Sequence, residues 1–376
     1  MHSTTRQDPQ LTQGLDREAG LRACQELQTR YEQLIEQQRL HWTGHFTLGR
    51  LLGSGGQGSV FLSSTNGADG FTLPVAMKVF SPLRYSDVRQ YDEAMARIAQ
   101  AASRIAQIQH DNLLDVHNFI DRDRIRVMVM EWIDGYDLRR LLASDFLARL
   151  EARTSPRRWR YINEVIVTEG PVHCRFKPGV AVAIVRECLA ALAALHRAGI
   201  VHGDLKPSNI MLKRSGHAKL VDIGSAFPYN EPIRDRTCTP FYAAPEVLEV
   251  NVCTPRSDLA SLGYVLIELL AGRPALPETM TFRELLEAKR HLPQRLHELL
   301  PDEVMCNGLL MNFIRGLIAP DPNRRFVDAE SAEHVDQGAA AFHRQLVRGD
   351  LASEYANDLR VWLEELLQVE ERAADH

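Results

Sequence analysis

Near Gly135 the spacing of apolar residues changes from that of strands to that of helices, and this one change constrains the fold more than any other feature. Ahead of it, "FTLGRLLG", "SVFLSS" and "LPVAMKVF" are short apolar or β-branched runs parted by glycine and asparagine turns, the pattern of strands. A single helical stretch interrupts them, with Val88, Tyr91, Met95, Ile98, Ile105 and Ile108 at helical spacing between Asp87 and Gln109. "LLDVHNFI" and "IRVMVMEW" complete a small sheet with one long helix. Beyond Gly135, "AVAIVRECLAALAALHRAG" predicts a helix stopped by Gly199, and "SDLASLGYVLIELLAG" a buried helix stopped by Gly272, with more helices to Arg372. "YINEVIVTEGPVHCRF" departs from this: it alternates apolar and polar residues around Glu-Gly-Pro and predicts a β-hairpin inserted between two helices.

The class is therefore α+β. The expected divisions are a helical extension over 1–44, a sheet-bearing unit over 45–133, a mainly helical unit over 134–327 with its insertion at about 145–179, and a helical region over 328–376. In the first extension Leu27, Tyr31, Leu34 and Ile35 share a helical face, either a brace on the next unit or a partner-binding face. At the other end Leu351, Tyr355, Leu359, Trp362, Leu363 and Leu366 do the same, with the same two readings: packing on the core, or a dimer or partner contact.

A formal charge of −5 and a pI near 6.3 speak against nucleic acid or an anionic membrane as the main partner. The basic cluster "RTSPRRWR", Arg153 to Arg160, is local, a solvated loop or a docking patch. Six scattered cysteines lack the paired spacing of zinc ligands or a disulfide framework, so a reducing cytoplasm is expected. The start, "MHSTTRQDPQLTQG", lacks a signal peptide's apolar core, and the apolar stretch Val180 to Val201 is broken by Arg186, Glu187, His196 and Arg197, so no membrane span is expected.

Chemistry enters with "LLGSGGQGSVF", in which Gly53, Gly55 and Gly58 are spaced as G-x-G-x-x-G. Glycines let a backbone approach phosphates closely. The loop lies between two strands, with no helix opening after it, so the dinucleotide-binding context is absent. The next strand carries "VAMK", ending in Lys78. Further on come "VHGDLKPSN", "LVDIG", "TPFYAAPE", "SDLASLG" and "PDPNRRF", in that order.

Together these resemble the signatures of the eukaryotic-type (Hanks-type) Ser/Thr protein kinase family, over about residues 46 to 340. The resemblance implies a bilobal fold, ATP with Mg2+, and protein substrates bearing Ser or Thr hydroxyls. It makes Asp204 the base, Lys206 a contact to the transferred phosphoryl group, Asn209 and Asp222 the magnesium ligands, and Lys78 the lysine on the nucleotide phosphates. Gly53, Gly55 and Gly58 would cover the phosphates, and Val60, Ala76 and Met211 would sandwich adenine. Met130 would gate its pocket, Glu131 and Ile133 would offer backbone groups to the purine, and Asp137 would contact ribose. Arg325 would pair with Glu246.

Departures from the family pattern are equally specific. Gly203 replaces the arginine that anchors a phosphorylated activation loop, which predicts activity without obligatory loop phosphorylation, although Thr237 remains a phosphosite candidate. The family's helical glutamate, counted back from His110, falls on Ala101, and Glu93 is the nearest substitute. Ile223 stands where the family has phenylalanine, and the segment from about Ser144 to Gly179 is longer than usual. Two other functions stay in view: a pseudokinase scaffold, suggested by Ala101, and a small-molecule phosphotransferase of the aminoglycoside or choline type, suggested by "HGD".

Overall fold

The apolar runs ahead of Gly135 fold as the sequence pattern implies. In chain order they give α1 (Pro9–Gln37), the strand pair β1 (Arg39–His41) and β2 (His45–Thr47), then β3 (Leu51–Gly55), β4 (Gly58–Asn66), β5 (Thr72–Phe80), α2 (Val88–Ile105), β6 (Val116–Arg122) and β7 (Ile125–Glu131). The computed structural model describes residues 9–37, 39–41, 45–229, 238–334, 336, 338–348 and 355–374, so Thr237 and Leu351 lie outside the described residues. Two units are distinct: Met1–Gln107 with Asp115–Trp132, and Ile108–Leu114 with Ile133–His376.

The first unit is an antiparallel five-stranded sheet in the order β3-β4-β5-β7-β6, with two helices against it. Alternation sets its register: Val60 lies opposite Lys78, and Ala76 opposite Met130. Helix α2 starts where Asp87 accepts the Gln90 N–H at 2.8 Å, and it buries Tyr91, Met95, Ile98, Ala101 and Ile105. The face of α1 that carries Leu27 and Leu34 is buried in the same unit, and the Tyr31 hydroxyl lies 3.4 Å from Ser59 Oγ. This is the bracing arrangement.

The second unit opens with β8 (Gly135–Asp137), α3 (Leu138–Leu142), α4 (Ser144–Glu151), α5 (Pro156–Tyr161), β9 (Val167–Thr168), β10 (Arg175–Phe176) and α6 (Pro178–Arg197). Next come β11 (Ile200–Val201), β12 (Ile210–Lys213), β13 (Ala218–Leu220), β14 (Phe227–Pro228), α7 (Pro245–Val250), α8 (Pro255–Ala271) and α9 (Phe282–Arg295). It ends with α10 (Asp302–Met305), α11 (Gly308–Ile318), α12 (Ala329–His334), α13 (Ala339–Arg348) and α14 (Tyr355–Ala374). Helices α6 and α8 form the core; α8 is buried on every side, as an all-round apolar helix must be. Among the described residues α6 alone is long and apolar enough to cross a bilayer, and 72% of its apolar window is buried within the protein, as in a core helix.

The hairpin expected over Tyr161–Phe176 is much shorter than the alternation suggests. Only β9 and β10 pair, two residues each, while Ile162–Ile166 forms a wide helical turn. Ile162 and Ile166 are four apart and both fully buried, so the run that reads as alternation also satisfies a helical period, and burial selects the helix. Helices α4 and α5 fill the rest of the insertion.

Candidate active site

The short strand β11 delivers the chain into the loop 202–209, and one buried carboxylate shapes that loop. Asp258, 1% exposed at the start of α8, accepts the His202 N–H on Oδ2 and the Gly203 N–H on Oδ1, each at 2.9 Å. His196 Nε2 lies 2.9 Å from Oδ2 of the same residue. Three contacts to one anion hold the turn in place without any regular secondary structure. Gly203 takes φ +78°, and a β-carbon there would sit 3.1 Å from both Phe227 Cε1 and the Ser225 carbonyl. The residue that departs from the family pattern is thus also the one this backbone requires.

Beyond the turn, three side chains named from the sequence converge. Lys206 Nζ donates to Asp204 Oδ2 at 2.8 Å, and Asn209 Nδ2 donates to the Asp204 carbonyl at 2.7 Å. Thr239 completes the group: its N–H and hydroxyl both donate to Asp204 Oδ1, at 2.9 and 2.7 Å, and Lys206 Nζ donates to its hydroxyl at 2.9 Å. An aliphatic hydroxyl therefore rests on the carboxylate beside an ammonium group, which is the arrangement general-base activation of an alcohol needs. Thr239 stands in the sequence only as the first residue of "TPFYAAPE", and nothing there points to its contact with Asp204.

Asp222 stands at the end of the β12–β13 ladder, in which Ile210 pairs with Leu220 and the Val221 N–H donates to the Asn209 carbonyl at 2.9 Å. The ladder therefore brings the Asn209 and Asp222 segments together. Asp222 is held in the left-handed region (φ 59°), a strained backbone of the kind found at working sites. A carboxylate and an amide oxygen are hard donors that suit Mg2+, and no cluster of three or more His, Cys, Asp or Glu ligands exists among the described residues to favour another metal. The residues present fit a magnesium ion shared with phosphate oxygens. Ile223 is buried, so an apolar side chain still packs where the family has phenylalanine.

In the first unit Gly53 and Gly55 lie on β3, and Gly58 and Val60 on β4. A β-carbon at Gly53 or Gly55 would meet nothing within 4 Å, whereas at Gly58 (φ +136°) it would lie 1.9 Å from the Val79 carbonyl. Lys78 is 5% exposed, and its ammonium donates to Gln57 Oε1, in the turn of the glycine loop, at 2.6 Å. Ala76 and Met130 are buried neighbours across β5 and β7. The Glu131 N–H donates to the Asp115 carbonyl at 3.0 Å, so that backbone donor serves the sheet. Glu93 pairs with Arg89 at 2.9 Å on the solvent side of α2, with 53% of its side chain exposed. Ala101 is fully buried while Glu93, eight positions earlier and about 80° round the helix, is exposed, so α2 is not shifted to bring Glu93 inward.

In the second unit Ile133 is buried, and Asp137 lies opposite Met211 where β8 pairs with β12. Asp137 Oδ1 accepts the Arg140 N–H at 3.0 Å, capping α3, and burial pushes its carboxyl above the usual range. The segment after Thr239 is pinned at three points. Lys289 Nζ donates to the Phe241 carbonyl at 2.7 Å, the Tyr242 hydroxyl donates to Glu268 Oε2 at 2.6 Å, and Arg325 grips both oxygens of Glu246 at 2.6 and 2.7 Å. The Arg325–Glu246 pair is the one the resemblance implies. Lys289 and Glu268 were not singled out from the sequence, because isolated charged residues on helices carry no motif.

Comparison with known proteins decides the family: the protein kinase domain model matches residues 46–335. The chain belongs to the protein kinase domain family. Its similar relatives include the serine/threonine-protein kinase PrkC of Bacillus subtilis, 28% identical over 298 residues, which are 77% of this chain and 40% of that protein. The serine/threonine-protein kinase PknD of Mycobacterium tuberculosis is 33% identical over 235 residues, 61% of this chain and 30% of that protein. The serine/threonine-protein kinase PkaB of Streptomyces coelicolor is 31% identical over 239 residues, 60% of this chain and 48% of that protein. The matched part thus spans less than half of each relative. As a protein kinase domain, the chain has the fold expected from its sequence, with an antiparallel sheet and long helix in one unit and a helical second unit. The kinase match also includes the insertion, whereas α14 lies beyond it.

Proposed function

We propose that this chain is an ATP-dependent serine/threonine protein kinase. The observation that supports the reading is the Asp204–Lys206–Thr239 cluster, in which one carboxylate accepts from a hydroxyl and from an ammonium group, as it would beside an acceptor alcohol and a transferred phosphoryl group. Asp204 accepts or orients the acceptor's proton, and Lys206 stabilises the charge on the group being transferred. Asn209 and Asp222 would hold Mg2+, which when bound neutralises phosphate charge. Lys78, placed against the glycine-loop turn, meets the nucleotide phosphates. The substrates are proteins with Ser or Thr acceptors, and six free thiols support a reducing, cytoplasmic setting.

Gly203 supports activity independent of loop phosphorylation: no arginine stands at this position to grip a phosphate, and Asp258 and Thr239 order the 202–209 loop through their own bonds. Ala101 favours a second reading, a nucleotide-binding scaffold without transfer. Incubation with Mg2+–ATP and a generic Ser/Thr protein separates the two, comparing wild type with Asp204→Ala and Asp222→Ala. Transfer by the wild type, lost about a thousandfold in each variant, is expected for the kinase. A nucleotide-induced rise in Tm with no transfer in any of the three would establish the scaffold instead.

A further inference from the structure

Helix α14 lies outside the family match, yet its last described turn is bonded to the nucleotide-side strand of the second unit. Glu370 accepts the Tyr136 hydroxyl on Oε2 at 2.7 Å and Arg140 Nη2 on Oε1 at 2.6 Å. Tyr136 and Arg140 flank Asp137, the position to which the family resemblance gives the ribose contact. Tyr136 is 3% exposed and packs edge-on against Phe146, with the Arg140 guanidinium 5.0 Å from its ring centroid. The Asp137 carboxylate takes its direction from the same turn, through the Arg140 N–H on Oδ1.

We infer that Glu370 is a positioning residue for nucleotide binding, acting from the C-terminal helix through Tyr136 and Arg140 on Asp137. The inference rests on the nucleotide site proposed above. Two effects are combined. Glu370 fixes the ends of the 136–140 turn, and so the direction of the Asp137 carboxylate. It also occupies the Arg140 guanidinium, a cation whose field already acts on Asp137. Released from Glu370, that guanidinium is free to pair with Asp137 and compete with a ribose hydroxyl for the carboxylate.

The test uses the full chain, with ADP binding followed by calorimetry and with the KM for ATP and kcat measured separately. Glu370→Gln is expected to raise both the Kd for ADP and the KM for ATP about threefold to tenfold, with kcat within about twofold of wild type. Tyr136→Phe, which keeps the ring packing and removes only the donor, is expected to give part of that shift, and the double variant no more than Glu370→Gln alone. Arg158→Gln is the structural control: it breaks the Arg158–Glu365 pair (2.8 Å) on the same helix, away from Asp137, and should lower Tm without moving the Kd. The inference is overturned if Glu370→Gln and Tyr136→Phe lower Tm as Arg158→Gln does and leave Kd and KM at wild-type values, or if kcat falls while KM stays. A wild type that binds no ADP is a different result, which overturns the nucleotide site itself and this inference with it.

Discussion

Replacing Gly203, Gly58 and Gly55 by alanine in turn adds the same methyl group in three different backbone settings. At Gly203 the left-handed backbone (φ +78°) costs an L-residue about 1–2 kcal/mol, and the two 3.1 Å contacts to Phe227 and Ser225 raise the total to about 1–3 kcal/mol. At Gly58 the new carbon would lie 1.9 Å from the Val79 carbonyl and 2.9 Å from the Ser81 nitrogen, both backbone atoms, so β4 or β5 must move and the cost is about 4 kcal/mol or more. At Gly55 the carbon meets nothing within 4 Å, and stability should stay within about 0.5 kcal/mol of wild type.

Scanning calorimetry reads the series, because Gly58 lies in the first unit and Gly203 in the second. Gly203→Ala should lower the transition of the larger unit by about 2–12 °C, at about 2–4 °C per kcal/mol for a unit of this size. Gly58→Ala should move the transition of the smaller unit further, and Gly55→Ala should move neither. A Gly203→Ala protein as stable as wild type would show that the turn does not need a left-handed residue, and the conformational account of Gly203 would fail. Gly55→Ala as damaging as Gly58→Ala would equally refute the reasoning from space around the β-carbon.

Two further outcomes follow from buried charge. Burial, opposed by the nearby Cys238, drives the Lys289 ammonium down to about 7, so between about pH 7 and pH 10 the unfolded chain holds a proton that the folded chain lacks. Stability from this group is fully present above the ordinary lysine pKa and is lost as pH falls toward about 7; urea midpoints from pH 7 to 9 should rise in wild type relative to Lys289→Met, and parallel curves would refute this. Arg325, fully buried, leaves the Glu246 carboxylate with the Ser257 hydroxyl when it is replaced, so Arg325→Met should cost about 3–5 kcal/mol by urea denaturation. Adding Glu246→Gln should restore about 1–2 kcal/mol of that loss, because the uncompensated charge is gone.

The residues legible from the sequence are those whose chemistry fixes both type and spacing. Asp204, Lys206 and Asn209 lie within six positions, and a loop that short has few ways to aim three side chains at one point. The glycine loop and Lys78 were legible for a related reason, since neighbouring antiparallel strands convert sequence spacing directly into cross-strand position. Glu93 shows where spacing stops helping. Along the chain it is the nearest acidic residue to the expected position, but a helix turns about 100° per residue, and two positions past the buried Tyr91 it faces solvent. Thr239 marks a second limit, because its partner Asp204 lies 35 positions away and neither residue's neighbours name the other.

The insertion and α14 carry that limit furthest, because each is ambiguous alone and each explains the other. "RTSPRRWR" reads as a solvated basic loop, and the helix from Tyr355 as an amphipathic segment in need of a surface. In the folded chain Arg158 holds Glu365, Arg153 donates to the Val369 carbonyl at 3.1 Å, and the Tyr161 hydroxyl donates to Asp358 at 2.7 Å. Trp362 is 1% exposed and stands edge-on to Phe176, at the end of the insertion. Helix α14 packs on α4, on α6 and on the Ile162–Ile166 turn, so the apolar face of one segment covers that of the other. The half-buried Arg158–Glu365 pair and the two hydrogen bonds fix the register in which the apolar faces meet, and burial of Trp362, Leu363 and Leu366 supplies most of the free energy. The apolar side of the insertion needs something to cover it, and α14 supplies the cover while its Glu370 reaches the strand that holds Asp137.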